Sequence, residues 1–152
     1  MKAIKSNLEL VKFVVFESEL TFVPPTNEQS IVPPFDKYEL DVDFSKSKEH
    51  RSKKEYLFVI YLNAKVNYTE EPMVGYKLRV STAAAFEIKN PGSIDKAELS
   101  NLENISALSI TISSLRNLLS SLTSFGPLGS YTLPAIKVGE LIKEKIEEPS
   151  QE

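Results

Sequence analysis

Residues Lys37 to Phe44, KYELDVDF, alternate strictly: Tyr38, Leu40, Val42 and Phe44 share one face, Glu39, Asp41 and Asp43 the other. A period of two is that of a half-buried strand. Glu55 to Tyr68 keeps the same step with Tyr56, Phe58, Ile60, Leu62, Ala64, Val66 and Tyr68. Gly75 to Ile88 repeats it with Tyr76, Leu78, Val80, Thr82, Ala84, Phe86 and Ile88. The link YTEEPMVG carries Pro72 and Gly75, so these two long runs predict a hairpin. Leu8 to Val23 predicts a fourth strand that alternates less cleanly, its middle (Phe13 to Phe16) being apolar on both faces.

After Asn90-Pro91-Gly92 the period changes. Ile105, Leu108, Ile112, Leu115, Leu119 and Leu122 recur in steps of three and four, the stripe of a helix. Gly126 and Pro127 then stop it. A shorter helix is predicted over about Val138 to Ile146, before an acidic tail, EEPSQE. Strands first and helices after read as α+β: a four-stranded antiparallel sheet with one long and one short C-terminal helix packed on one face. At 152 residues the chain reads as a single domain, with its core from about 8 to 146 and its tail from 147 to 152.

Composition narrows the function. A net charge of −3 opposes a general nucleic-acid binder, which carries a basic excess. No cysteine is present, which removes disulfides, thiol nucleophiles and Cys-based zinc sites and suits a reducing, cytoplasmic setting. Glu9 and Lys12 interrupt any signal-peptide core. Between Glu103 and Lys137 Arg116 is the one charged residue, yet dense Ser and Thr with Gly126, Pro127 and Gly129 argue against a membrane span.

No constellation points to an enzyme, a cofactor or a metal. His50 is the single histidine and sits in a basic loop, SKSKEHRSKKE, where a solvated role is the simpler one. Asp41 and Asp43 share a strand face, as the wet side of a half-buried strand does.

Two stiff, largely apolar segments depart from the usual charged loop. PPTNEQSIVPPFD, Pro24 to Asp36, holds four prolines and ends apolar; prolines stiffen it into an extended excursion. SFGPLGSYTLPAI, Ser124 to Ile136, holds two glycines and two prolines and no charge. Should the two meet, they build a groove for an extended apolar peptide or a lipid-like ligand; tucked under the helix, they are core. The long helix also carries serines where surface helices carry Lys and Glu. Small side chains admit a second backbone, so Ser109, Ser113 and Ser120 with Arg116 mark an expected subunit interface.

The order of these parts resembles the SecB family of export chaperones. The residues that carry the likeness are FESELTFVPP, YELDVDF, the long hairpin, and ISSLRNLLSSLTSFGPLGSYTLPAIKVGELI, together spanning about Leu8 to Ile146. The resemblance implies a cytoplasmic homotetramer, a dimer of dimers with long helices at the contacts. It implies a holdase that binds unfolded polypeptides without ATP or other cofactor, in grooves lined by the two stiff, apolar segments. On that basis Ile31, Val32 and Phe35 on one side, and Phe125, Leu128, Tyr131 and Leu133 on the other, are the expected client-binding residues. The family hands clients to the SecA motor through an acidic outer sheet face. Here Glu19 keeps an acid, Val23 replaces one, and Lys77 and Arg79 stand where the family has a leucine and an acid. Charge reversal at a docking surface opposes that partner. A chaperone dedicated to one partner, such as an antitoxin, is the variant this leaves open. A carrier of a small hydrophobic ligand and a purely structural oligomer are the readings from other classes.

Overall fold

The computed structural model describes residues 1–26 and 35–148. Its strands are β1 (Leu8–Val23), β2 (Leu40–Lys46), β3 (His50–Arg51), β4 (Glu55–Val66) and β5 (Gly75–Lys89). They form one antiparallel sheet in the order β1-β5-β4-β2, with β3 paired to β4. The helical half runs through α1 (Lys96–Asn101), a π-helical turn (Leu102–Ser106) and α2 (Ala107–Thr123), and closes with α3 (Val138–Glu147). This is the expected α+β architecture.

The period-two runs have the expected faces. Tyr56, Phe58, Ile60, Leu62, Ala64 and Val66 of β4 are buried, as are Tyr76, Leu78, Val80, Thr82, Ala84, Phe86 and Ile88 of β5. They pair in register from Glu55↔Lys89 to Val66↔Leu78. β4 ends at Val66, short of the expected Tyr68, because Asn67 is left-handed (φ 52°). Its side chain fastens the connection. The amide donates to Met73 O and Tyr76 O and accepts from Met73 N, each at 2.9 Å.

The uneven alternation of β1 has a local cause. Its register against β5 shifts between Leu10 and Lys12 and again between Val15 and Glu17. Each extra residue turns the strand by one face. Leu10, Phe13 and Leu20 therefore lie opposite inward-facing partners although the sequence steps between them are not all even. Val11 and Phe16, at the two irregularities, are left exposed.

The long helix departs most from expectation. It begins at Lys96, capped by Asp95, whose side chain accepts from Glu98 N at 2.8 Å. Its buried positions run Leu99, Leu102, Ala107, Leu108, Thr111, Ile112, Leu115 and Leu119. Leu102 to Ala107 is a step of five, which only the π turn accommodates. Ile105, assigned to the inner stripe from its spacing, is consequently turned outward and 47% exposed. The basic loop also holds more structure than expected: it contains β3, and Lys46 bridges Glu49 and Glu103 at 2.9 and 2.8 Å.

Candidate functional site

The two stiff, apolar segments do meet, through Phe35 and Tyr131, at one end of the sheet. Phe35 opens a 3₁₀ turn (Phe35–Lys37) at the end of the first segment. Its ring centre lies 5.5 Å from that of Tyr131 in the second segment, edge to face, and 5.5 and 5.8 Å from Tyr38 and Tyr76. Tyr38 and Tyr131 are themselves 5.7 Å apart, so the four rings form one cluster. Phe35 is its half-buried member; the three tyrosines are 7% exposed or less.

Tyrosine hydroxyls organise the segment from Ser124 to Ile136. Tyr76 Oη donates to Gly129 O at 2.7 Å and accepts from Leu128 N at 3.0 Å. A Cβ at Gly126 would lie 2.4 Å from that same hydroxyl oxygen, so the turn admits only glycine there. Gly129 supplies the positive φ (74°) that follows. Tyr38 Oη donates to Val74 O at 2.7 Å and accepts from Tyr76 N at 2.9 Å. Tyr131 differs: its backbone N–H reaches Thr123 Oγ1 at 2.7 Å, but its buried hydroxyl has no partner among the described residues. Burial, with the neighbouring Tyr38, pushes that hydroxyl's pKa up to about 12.

The expected client-binding residues are divided by this geometry. Phe125 stands fully in solvent, Leu128 and Phe35 are half buried, and Tyr131 and Leu133 are buried at 1% exposure each. Ile31 and Val32 lie outside the described residues. The surface of the second segment is thus Phe125 and Leu128, while Tyr131 and Leu133 root it in the core. Arg116 belongs to the same root. Its Nε donates to Leu133 O at 2.9 Å and an η nitrogen reaches Pro134 O at 3.4 Å, tying the segment to α2.

The serine face of α2 is turned on itself. Ser109 and Ser113 donate to Ile105 O and Ser109 O at 2.8 and 3.0 Å, and Ser113 is exposed while Ser109 and Ser120 are half exposed. Hydroxyls bonded back to the helix leave small, internally satisfied side chains on that face.

On the outer face of the sheet, Arg79 forms ion pairs with Glu17 and Glu19, the latter at 3.2 Å. Tyr68 Oη donates toward Glu19 at 3.3 Å, and Lys77 stands 4.5 Å over the Tyr68 ring. Two acids and two bases neutralise one another there. Farther along the same face the row Val14, Ala83 and Tyr61 is apolar, and the exposed Phe16 lies at the neighbouring irregularity of β1. A second groove, of roughly 670 Å³, lies between β2, the π turn and α3, lined by Phe44, Ile105, Ile142 and Ile146 with Asn101 and Asn104. Sequence reasoning missed this groove because it depends on the π turn throwing Ile105 outward. Tyr56 is another residue it missed: the hydroxyl donates to Glu103 of the π turn, and burial, then Glu103, holds its pKa well above the usual tyrosine range.

Among the described residues no cluster of three or more His, Cys, Asp or Glu is placed to hold a metal ion, and no helix is long and apolar enough to cross a membrane.

No family model matches the chain, and no curated protein matches it. Solved structures do. The SecB-like chaperone Rv1957 of Mycobacterium tuberculosis, in complex with a ChAD peptide from the Rv1956 HigA1 antitoxin, aligns over 85% of this chain and 90% of its own at 12% identity and a TM-score of 0.48. A protein of unknown function from Streptococcus agalactiae aligns over 84% and 97%, at 13% identity and a TM-score of 0.49.

Proposed function

We propose that this chain is a non-enzymatic chaperone, a holdase that keeps unfolded polypeptides from aggregating. One observation carries the proposal: two proline-containing, largely apolar segments from opposite halves of the chain converge on one aromatic cluster, leaving Phe125 exposed and Phe35 and Leu128 half exposed beside it. A surface of that kind binds apolar side chains at ~25 cal/mol per Å² before ordering costs, with little demand on sequence. Repeated over several copies of the site, weak contacts give avidity for a long unfolded chain. The serine face of α2 supports assembly by close helix approach, with Ser109, Ser113 and Ser120 in the contact and a tetramer as the proposed state.

Delivery to SecA is the less supported half of the resemblance. Arg79 and Lys77 are held by Glu17, Glu19 and Tyr68, so the outer face offers a neutral cluster instead of an acidic one. A chaperone dedicated to one partner, an antitoxin for instance, fits that face as well. The groove beside the π turn favours a second reading, carriage of a small hydrophobic ligand.

Size exclusion with light scattering, on the protein alone and with a reduced, unfolded substrate protein, tests the proposal. An oligomer that co-elutes with the unfolded chain and not with its folded form is expected. A protein that ignores the unfolded chain, or one that retains a small ligand under native mass spectrometry, overturns the holdase reading.

A further inference from the structure

Three tyrosines and one phenylalanine make the cluster, and their polar ends are unequal. The hydroxyls of Tyr38 and Tyr76 each have a donor and an acceptor partner, whereas that of Tyr131 is buried with none among the described residues. Buried hydroxyls are almost always bonded, so one left alone marks a place where an acceptor belongs. The ring that packs on Tyr131 edge to face is Phe35, which brings no acceptor. Phe35 is also the most accessible member. It is the half-buried ring, and its turn is short, has no buried residue, and among the described residues closes on one long backbone bond, Tyr38 N to Phe35 O at 3.4 Å.

We propose that Phe35 is a stand-in: it fills the seat that an aromatic or large apolar side chain of a bound polypeptide takes, and the Tyr131 hydroxyl then donates to that polypeptide's backbone carbonyl. The proposal rests on the chaperone reading above and adds to it a specific contact and a competing side chain. An extended polypeptide is the ligand that supplies both parts at once, a ring for the seat and a carbonyl beside it. A pure hydrocarbon fills the seat and leaves the hydroxyl unpaired. Binding is then a displacement, and the apparent affinity is lowered by the fraction of molecules in which Phe35 occupies the seat.

The test uses the full chain and two dye-labelled, otherwise polar peptides, one with a single central Phe and one with Ala in its place, read by fluorescence anisotropy. Phe35→Ala is expected to bind the Phe peptide about tenfold more tightly than the wild type and to leave the Ala peptide little changed. Tyr131→Phe is expected to bind the Phe peptide about fivefold more weakly, the loss of one neutral hydrogen bond, without any fall in melting temperature. Should Phe35→Ala unfold, Phe35→Leu carries the same comparison with a smaller gain. Unchanged or weaker binding by a folded Phe35 variant, or unchanged binding by Tyr131→Phe, overturns the stand-in. Absence of binding to either peptide and to an unfolded protein, by wild type and variants alike, overturns the chaperone reading itself.

Discussion

Single side chains hold together the end of the molecule where the candidate site lies. Asn67 is buried, left-handed and makes three side-chain bonds to the connection it closes. Asn67→Ala removes all three and places a residue less tolerant of positive φ, so a loss of about 2–3 kcal/mol in urea denaturation is expected. Gly126→Ala drives a methyl against Tyr76, at 2.4 Å from its hydroxyl oxygen and 2.6 Å from its ring, and a cost of about 1–3 kcal/mol follows. Tyr131 gives a pH signature. Its folded-state pKa is raised from 10.0 to about 12, so its neutral form is the one that stabilises the fold. That contribution is complete below pH 10 and is lost as pH climbs through the interval to about 12. Urea midpoints across that interval should fall more steeply for the wild type than for Tyr131→Phe; equal slopes would show that the Tyr131 hydroxyl ionises in the fold as readily as in the unfolded chain.

Among the elements, those with an uninterrupted period were legible and those with a changed period were not. β2, β4 and β5 follow from alternation because each has one wet and one dry face. α2 follows from its stripe. β1 and the start of the long helix resist the same treatment for the same reason: an inserted residue resets the phase, at two register shifts in β1 and at the π turn in the helix. Pattern matching assumes one phase per element, which is why Ile105 was assigned inward. The uncharged segment from Ser124 to Ile136 stood out by composition, but composition does not say that Tyr131 and Leu133 point in and Phe125 out. That division depends on Tyr76 and Arg116, side chains distant in sequence. Arg116→Met keeps the helix and removes both bonds to the segment. Hydrogen exchange over residues 124–136 should then rise while that of β4 and β5 stays as it was; a uniform rise would mean that Arg116 supports the whole core.

At the scale of the molecule, the apolar surface is spread over separate places. Phe125 and Leu128 mark one end, Phe16 and Tyr61 the outer sheet face, and Ile105 and Ile146 the groove beside α3. On the chaperone reading proposed above, copies of the chain cover some of these side chains and clients the rest. Phe125→Asp is expected to leave folding untouched, since that side chain contacts only solvent, and to reduce retention of an unfolded substrate severalfold in size exclusion. Full retention would move the binding surface away from this end of the sheet.

The π turn also bears on how such a chain tolerates loss and gain of codons. A π turn is an α-helix with one residue too many, and here the surplus falls between Leu102 and Ala107. Deleting one residue there restores a step of four, keeping both the earlier Leu99 and the later Leu108 on the core side. Deleting one residue further along, at Ile110 for example, rotates all that precedes it by about 100° against all that follows. Length variation in this helix should therefore concentrate at one address. A descendant lacking that residue would keep its core and lose the outward Ile105, and with it one wall of the groove beside α3.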